Sequence, residues 1–436
     1  MINFIKVLLF FAVFVPITEA APQHNNPWFS WRSLQQAESE FGIQANHVNV
    51  DQCVFSNKNS NLIFYNGRRR AEIDGITVWL NVAPQALPAK KEWQIATIDL
   101  DLIALSMRAS ATNSAKKLKI MLDPGHGGSD SGAVSACGQI KEKDINLAIT
   151  LKTGKILKKA GFDVCYTRTN DRDCSLTERS RAASSQKAEL FVSIHVNKAA
   201  NTNACGVETF VLTPSGYAGT AAGSPPRGWQ IGNKNDYHSN LLGYCIQKSA
   251  IGDSNIFDRG LKRQSFFVLR ETYCPAALLE VGFISNPDDL KNLQCAQWRK
   301  ECAERLAKGI IEYCQKVECL DHAVAKMRRE RNEANQRWLA RLESQKLDKV
   351  AINKPEEPAK ERIASAQSTV IDEKTAASDY ETTEKNFDPK IFTSQSFHST
   401  VTNIYLTQDE KKPDKSDNTD SGLQSLIDFY ESGELN

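Results

Sequence analysis

The 436-residue sequence lacks three things, and each absence narrows what the protein can be. Beyond the N-terminus it has no apolar run approaching the roughly 20 residues a helix needs to cross a bilayer, so no membrane span is expected there. It has little charge bias: 54 Lys and Arg stand against 52 Asp and Glu, so bulk electrostatics point to no polyanion and no nucleic-acid partner. The basic runs at Arg68, Arg69 and Arg70 and at Arg328, Arg329 and Arg331 read as solvated faces. Finally, none of the eleven cysteines stands in a C-x-x-C pair, which argues against a cysteine zinc site.

Eleven cysteines suit an oxidising compartment, and an odd count leaves at least one thiol unpaired in a monomer. Cys165 and Cys174 flank a turn and are candidates for a bridge. Burial as small hydrophobes is the equal alternative for several of them. The extreme N-terminus agrees with export. Lys6 precedes the apolar stretch Val7 to Val15, and Thr18-Glu19-Ala20 places small residues at a cleavage position before Ala21. The stretch is too short to span a membrane, so a signal peptide over residues 1–20 is expected, with the mature chain in the periplasm or cell envelope.

Residues 27–110 read as a small independent β-rich accessory domain. Asn61 to Tyr65 and Ile76 to Val82 look like strands with Asn66-Gly67 and Asp74-Gly75 as turns, and Trp93 to Leu105 continues the alternation. After a polar linker from Ser110 to Lys117, residues 115–320 alternate strands with helices. Lys119 to Leu122, Phe162 to Thr167, Glu189 to Ile194, Val207 to Leu212, Phe266 to Leu269 and Ala276 to Val281 read as strands. Asp144 to Ala160 carries a helical apolar stripe, Ser175 and Glu178 form a capping-box pattern, and a long helix is expected from about Asp288 to Cys314. The fold class is therefore α/β, a mostly parallel twisted sheet flanked by helices, with the β-rich N-terminal domain before it. A charged helix over 321–350 and a disordered tail over 351–436 complete the chain, and Leu423, Leu426, Ile427 and Tyr430 at helical spacing give a weak docking signal.

Four segments of the α/β region place polar groups where apolar strands end: Asp123 to Gly128 (DPGHGG), Lys141 to Asp144 (KEKD), Ser193 to Asn197 (SIHVN) and Leu278 to Phe283 (LLEVGF). The carboxyl edge of a parallel sheet is where loops assemble a site, so His126 and His195 can meet there. Two imidazoles with the carboxylate of Glu142 suit tetrahedral zinc and leave a fourth position for water. Glu280 stands on an apolar strand, where an unpaired charge is costly, so it needs a partner. Each residue has a bland reading alone: a turn histidine, a core histidine, a first-turn glutamate, a structural ion pair. Their conjunction carries the argument.

In this order, D-P-G-H-G-G, E-K-D, S-I-H-x-N and L-L-E-V-G-F-I-S-N resemble the zinc-dependent N-acetylmuramoyl-L-alanine amidases of bacterial cell walls. Thr167-Arg168-x-x-Asp171, Leu176-Thr177-Glu178-Arg179 and Phe267 to Arg270 support the likeness, which covers about residues 117–315. Ser131, Ser184 and Glu189 depart from the residues usual in the family, and none is a proposed ligand. The resemblance implies zinc held by His126, Glu142 and His195, with Glu280 as catalytic carboxylate. It implies hydrolysis of the amide between N-acetylmuramic acid and L-alanine in peptidoglycan, for wall remodelling or septum splitting by a monomer, with room for a protein activator or the division machinery. A zinc peptidase acting within the stem peptide and a non-catalytic wall-binding module are the alternatives. Some members carry a helical plug between the second histidine and the catalytic glutamate. Here Thr213 to Asp236 contains Pro214, Pro225, Pro226 and several glycines, so no helical plug is expected.

Overall fold

The computed structural model describes residues 30–56, 60–90, 92–220, 228–252 and 255–352. The expected signal peptide, most of the expected tail and the apolar positions near its end lie outside the described residues. In chain order the elements are β1 (Trp31–Ser33), α1 (Leu34–Phe41), β2 (Gln44–Val48), β3 (Gln52–Ser56), β4 (Asn61–Tyr65), β5 (Arg70–Ile73), β6 (Ile76–Trp79), β7 (Gln85–Leu87), β8 (Glu92–Ala96) and α2 (Thr97–Arg108). There follow β9 (Lys119–Pro124), α3 (Glu142–Lys159), β10 (Asp163–Tyr166), α4 (Leu176–Ser185), β11 (Leu190–Asn197), β12 (Val207–Val211), α5 (Asp236–Ile251), β13 (Asp258–Arg263), α6 (Phe267–Arg270), β14 (Ala276–Phe283), α7 (Pro287–Gln294) and α8 (Ala296–Ile352). The described residues up to Asn335 belong to one compact unit.

Local chemistry sets several boundaries. Ser33 opens α1 with a reciprocal capping box to Gln36, and Gly42 ends it in the left-handed region. The Ser175 hydroxyl caps α4 by accepting from the Glu178 amide, and Asn286 caps α7 ahead of Pro287.

The main sheet has eleven strands in the order β10-β9-β11-β14-β12-β13-β6-β5-β4-β3-β2. The strands β10, β9, β11 and β14 are mutually parallel, β12 runs antiparallel to β14, and β12, β13 and β6 are parallel again. From β6 to β2 every pairing is antiparallel. A second, three-stranded sheet has the order β1-β8-β7.

The α/β class and the β-rich N-terminal region are both present, but the region is not a separate body. Val78 of β6 pairs with Leu261 of β13, so its strands extend the sheet of the α/β region. Leu62, Phe64 and Val78 are buried in the same core as Leu261, Leu279 and Ile310. The physical reason is edge chemistry: β13 alone would present unpaired amides, and β6 covers them.

Other sequence expectations shift as well. Ala96 ends β8, and Thr97 to Arg108 is a helix in which Leu100, Leu102, Ile103, Ala104 and Leu105 are all buried; Ile98-Asp99-Leu100-Asp101-Leu102 alternates like a strand because the helix buries Asp99 and Asp101 too. Phe267 to Arg270 is one helical turn and not a strand. The helix expected from Asp288 to Cys314 is broken at Cys295, and its second part is continuous with the charged helix that follows. All eleven cysteines stand as free thiols, Cys165 and Cys174 included.

Candidate metal centre and active site

His126 follows the end of β9 in a backbone conformation that few side chains adopt, with φ 58°. Two arginines hold it there. Arg168 donates to the carbonyls of Pro124, Gly125 and Lys143 at 3.0, 2.8 and 2.9 Å. Arg179 donates to the carbonyls of Pro124 and His126 at 2.8 and 2.9 Å and pairs with buried Asp123 at 2.6 Å. Asp123 also accepts from Thr167 and Ser193. Burial pushes its carboxyl up, but Arg179 and the two hydroxyls outweigh that and hold it below the ordinary range.

Glu142 is the first residue of α3, where the helix N-terminus favours a carboxylate. Its Oε1 lies 3.2 Å from His126 Nε2 and 2.9 Å from His195 Nδ1, and accepts from the Val196 amide at 3.0 Å. Asn146, one turn on, donates to the same oxygen, and the Ala133 amide to the other. Asp130 lies 2.7 Å from His126 Nδ1, leaving Nε2 to face Glu142. The two imidazoles stand edge to face at 4.9 Å. Close backbone approach makes this possible: a methyl group on Gly125 would fall 2.2 Å from the His195 ring, and one on Gly132 would fall 2.5 Å from Glu142.

One donor atom from each of His126, Glu142 and His195 lies within 4.8 Å of the others, the spacing of a set that can hold one metal ion. The electrostatics fit a cation. Burial would push Glu142 up, yet the imidazoles hold it well below the usual glutamate range. Against its own burial, His126 is pushed up to about 10 by Glu142 and Asp130. The pocket demands positive charge, as a proton or as a divalent ion. Glu280 supplies a second observation. Its Oε2 is buried with no hydrogen-bond partner, as expected of a group awaiting one.

Register brings Glu280 to this set. His195 on β11 is directly opposite Glu280 on β14, which is directly opposite Glu208 on β12. Burial raises the Glu280 carboxyl well above its ordinary value, and the negative charges of Glu142 and Glu208 add to that.

These four side chains are the ones the sequence singled out. Comparison with known proteins then bears on what they do. Residues 120–312 match the family model described as N-acetylmuramoyl-L-alanine amidase. The Escherichia coli amidase AmiA is 30% identical over 230 residues, covering 47% of this chain and 79% of that protein. The chain belongs to the N-acetylmuramoyl-L-alanine amidase family. The probable cell wall amidase LytH of Staphylococcus epidermidis is 31% identical over 248 residues, 57% of this chain and 75% of its own. Among solved structures, the catalytic domain of the amidase CwlV from Paenibacillus polymyxa is 32% identical, with 46% of this chain and 99% of that one covered and a TM-score of 0.39.

Sequence reasoning passed over Glu208 in this amidase. It is fully buried, accepts from Arg259 at 2.8 Å and Lys262 at 2.6 Å, and takes a third hydrogen bond from Asn197. The signal was the one that marked Glu280, a lone charge in an apolar strand. Arg168 and Arg179 were noted only as motif letters, because a backbone clamp leaves no periodicity to read.

The direction of β12 also bears on the plug question. Running antiparallel to β14, it delivers Thr213 to the end where β14 begins, away from Glu280. The described parts of the Thr213 to Asp236 stretch stay at that end: Asn235 donates to the Tyr273 carbonyl, and Gly232 packs on the Leu269 carbonyl.

Proposed function

We propose that the chain is a zinc-dependent amidase that cuts the bond between N-acetylmuramic acid and L-alanine in peptidoglycan, with His126, Glu142 and His195 as ligands and Glu280 as the catalytic carboxylate. The observation that carries the reading is the register that puts Glu280 beside the three-residue donor set, with its Oε2 buried and without a hydrogen-bond partner.

A zinc ion bound there supplies Lewis acidity toward the amide carbonyl and toward water. Glu280 does the proton work. Its unpartnered Oε2 is the acceptor for a proton from the attacking water as the new carbon–oxygen bond forms. The same carboxyl returns a proton to the departing nitrogen as the carbon–nitrogen bond breaks, so the products are a lactyl carboxylate and the free amine of L-alanine. Glu142, with the Val196 and Ala133 amides donating to its two oxygens, stays a ligand and not a competing base. Asp130 and Asn146 orient His126 and Glu142, as outer partners of metal ligands do.

Export to the periplasm or cell envelope, by the leader-like residues 1–20, belongs to the same proposal. No described helix is long and apolar enough to cross a membrane. A role in wall remodelling or septum splitting follows from the substrate. The test is mass spectrometry of peptidoglycan digested by the purified mature chain. Intact stem peptides beginning with L-alanine are expected. Cuts inside the stem peptide, with the lactyl amide intact, would assign the site to a peptidase instead.

A further inference from the structure

The face of the sheet that carries the active site continues beyond it. Glu208, beside Glu280, binds Lys262 on β13, and Lys262 Nζ lies 5.9 Å from the centre of the Trp79 ring on β6. Trp79, Glu208 and Glu280 therefore share one face. On β5 and β4 the same face carries Glu72, paired with Thr77, and Ile63, paired with Glu72. Side chains alternate along a strand, and the other set in this half, including Phe55, Phe64, Ile73 and Val78, is fully buried in the core with residues of α1, α2 and α5. Ile63, Tyr65, Glu72 and Trp79 are only partly buried. The N-terminal strands thus extend the catalytic sheet as a ledge, on which partly exposed side chains resume at Trp79 beyond buried Glu208 and Lys262.

The ledge has ordered features. The Trp79 indole N–H donates to the Arg259 carbonyl at 3.0 Å, which ties the ring down to β13. The Tyr65 hydroxyl donates to Glu72 at 3.0 Å, and Arg70 pairs with the same carboxylate. Phe257, the residue before β13, is 61% exposed. Neighbouring strands lie about 4.8 Å apart, so β6 is about 14 Å from the strand of Glu280 and β4 about 24 Å. The charges on the ledge are engaged with one another, Arg70 with Glu72 and both Lys262 and Arg259 with Glu208, which disfavours a polyanion.

We propose that this face is an extended glycan-binding ledge. It would hold the polysaccharide strand of peptidoglycan beyond the sugar that bears the cut bond, with Trp79 and Tyr65 as stacking platforms. The proposal rests on the amidase reading, because it is that substrate which is a polymer longer than the cleft and continuous with it. Sugar rings present apolar C–H faces that fit aromatic rings, and their hydroxyl and acetamido groups need fixed donors and acceptors such as Arg70 and Glu72.

The test uses the full mature chain carrying Glu280→Gln, which removes hydrolysis from the binding measurement. Sedimentation with insoluble glycan strands stripped of their stem peptides is compared with and without Trp79→Ala and Tyr65→Ala. The double substitution should weaken binding about tenfold, the scale of lost aromatic anchors, while Trp79→Phe retains most of it. In the cutting enzyme, the ratio of kcat/KM on polymer to that on a soluble muramoyl-peptide fragment should fall by a similar factor. Unchanged sedimentation would overturn the ledge, and so would binding that needs the stem peptides. A Trp79→Phe loss as large as that of Trp79→Ala would assign the effect to packing and also overturn it. If the wild type cuts neither polymer nor fragment, the amidase reading fails, while sedimentation of the Glu280→Gln chain still decides the ledge.

Discussion

Nη2 of Arg179 donates a 2.9 Å hydrogen bond to the carbonyl of His126, and the same guanidinium closes a 2.6 Å ion pair with fully buried Asp123. A histidine in the left-handed region costs about 1–3 kcal/mol of backbone strain, so something must over-determine it. Arg179→Ala removes that hold and strands a buried carboxylate, at a cost of about 3–5 kcal/mol. The expected result is a large drop in the urea midpoint. Arg179→Lys keeps the charge but not the planar fork, so it should stay folded yet hold metal less tightly in competition with a chromophoric chelator. Wild-type metal affinity in a folded Arg179→Lys chain would remove the clamp from the account.

His126→Ala should abolish stoichiometric zinc, read by elemental analysis of protein purified without chelator. Removal of one of three protein ligands leaves too few donors for a stable site. Full zinc occupancy in that variant would show that the ion sits elsewhere.

Glu280→Gln should retain zinc and lose about 10²–10⁴-fold in kcat, the range for a positioned general acid–base group. Its shape is kept and it is not one of the three clustered donors. Joint loss of metal and activity would recast it as a ligand.

Asp236 offers a pH signature remote from His126, Glu142 and His195. Burial pushes its carboxyl up to about 7, against the opposing pull of Asn233 and Arg263. The folded protein then holds a proton that the unfolded chain releases near pH 4, so this group's contribution to stability is full below that and is lost as pH rises toward 7. The slope from this group is at most about 1.4 kcal/mol per pH unit. Asp236→Asn should flatten the fall in urea midpoint between pH 5 and pH 7.5. An unchanged profile would assign the slope to other groups.

A fragment confined to residues 115–320 should be poorly folded. Without the preceding segment, β13 loses β6 and α5 loses α2, including the hydrogen bonds from Asn240 to the Leu102 carbonyl and the Ser106 hydroxyl. Size-exclusion chromatography should show aggregation, whereas residues 28–335 run as one species. A monodisperse, cooperatively melting short fragment would contradict the shared core.

How much the sequence alone determined depends on range. The four chemical residues were legible because each sits in a short run whose neighbours explain it: glycines around His126, a helix start at Glu142, apolar strands around His195 and Glu280. The strands β9, β11 and β14 were legible for the same reason. What only the tertiary structure decided is everything set by pairing across distance. Strand alternation says which residues share a face but not which strand lies alongside. It therefore could not show that β6 joins β13, that Glu208 stands opposite Glu280, or that two arginines enclose the His126 loop. The helix α2 was hidden because Ile98-Asp99-Leu100-Asp101-Leu102 alternates like a strand, and only the fold buries Asp99 and Asp101. Hydrogen bonds between strands and from side chains to backbone carbonyls are specified by geometry that forms only when the sheet closes. That is why the site's members were visible in the sequence, while its supports and the surface it opens onto were not.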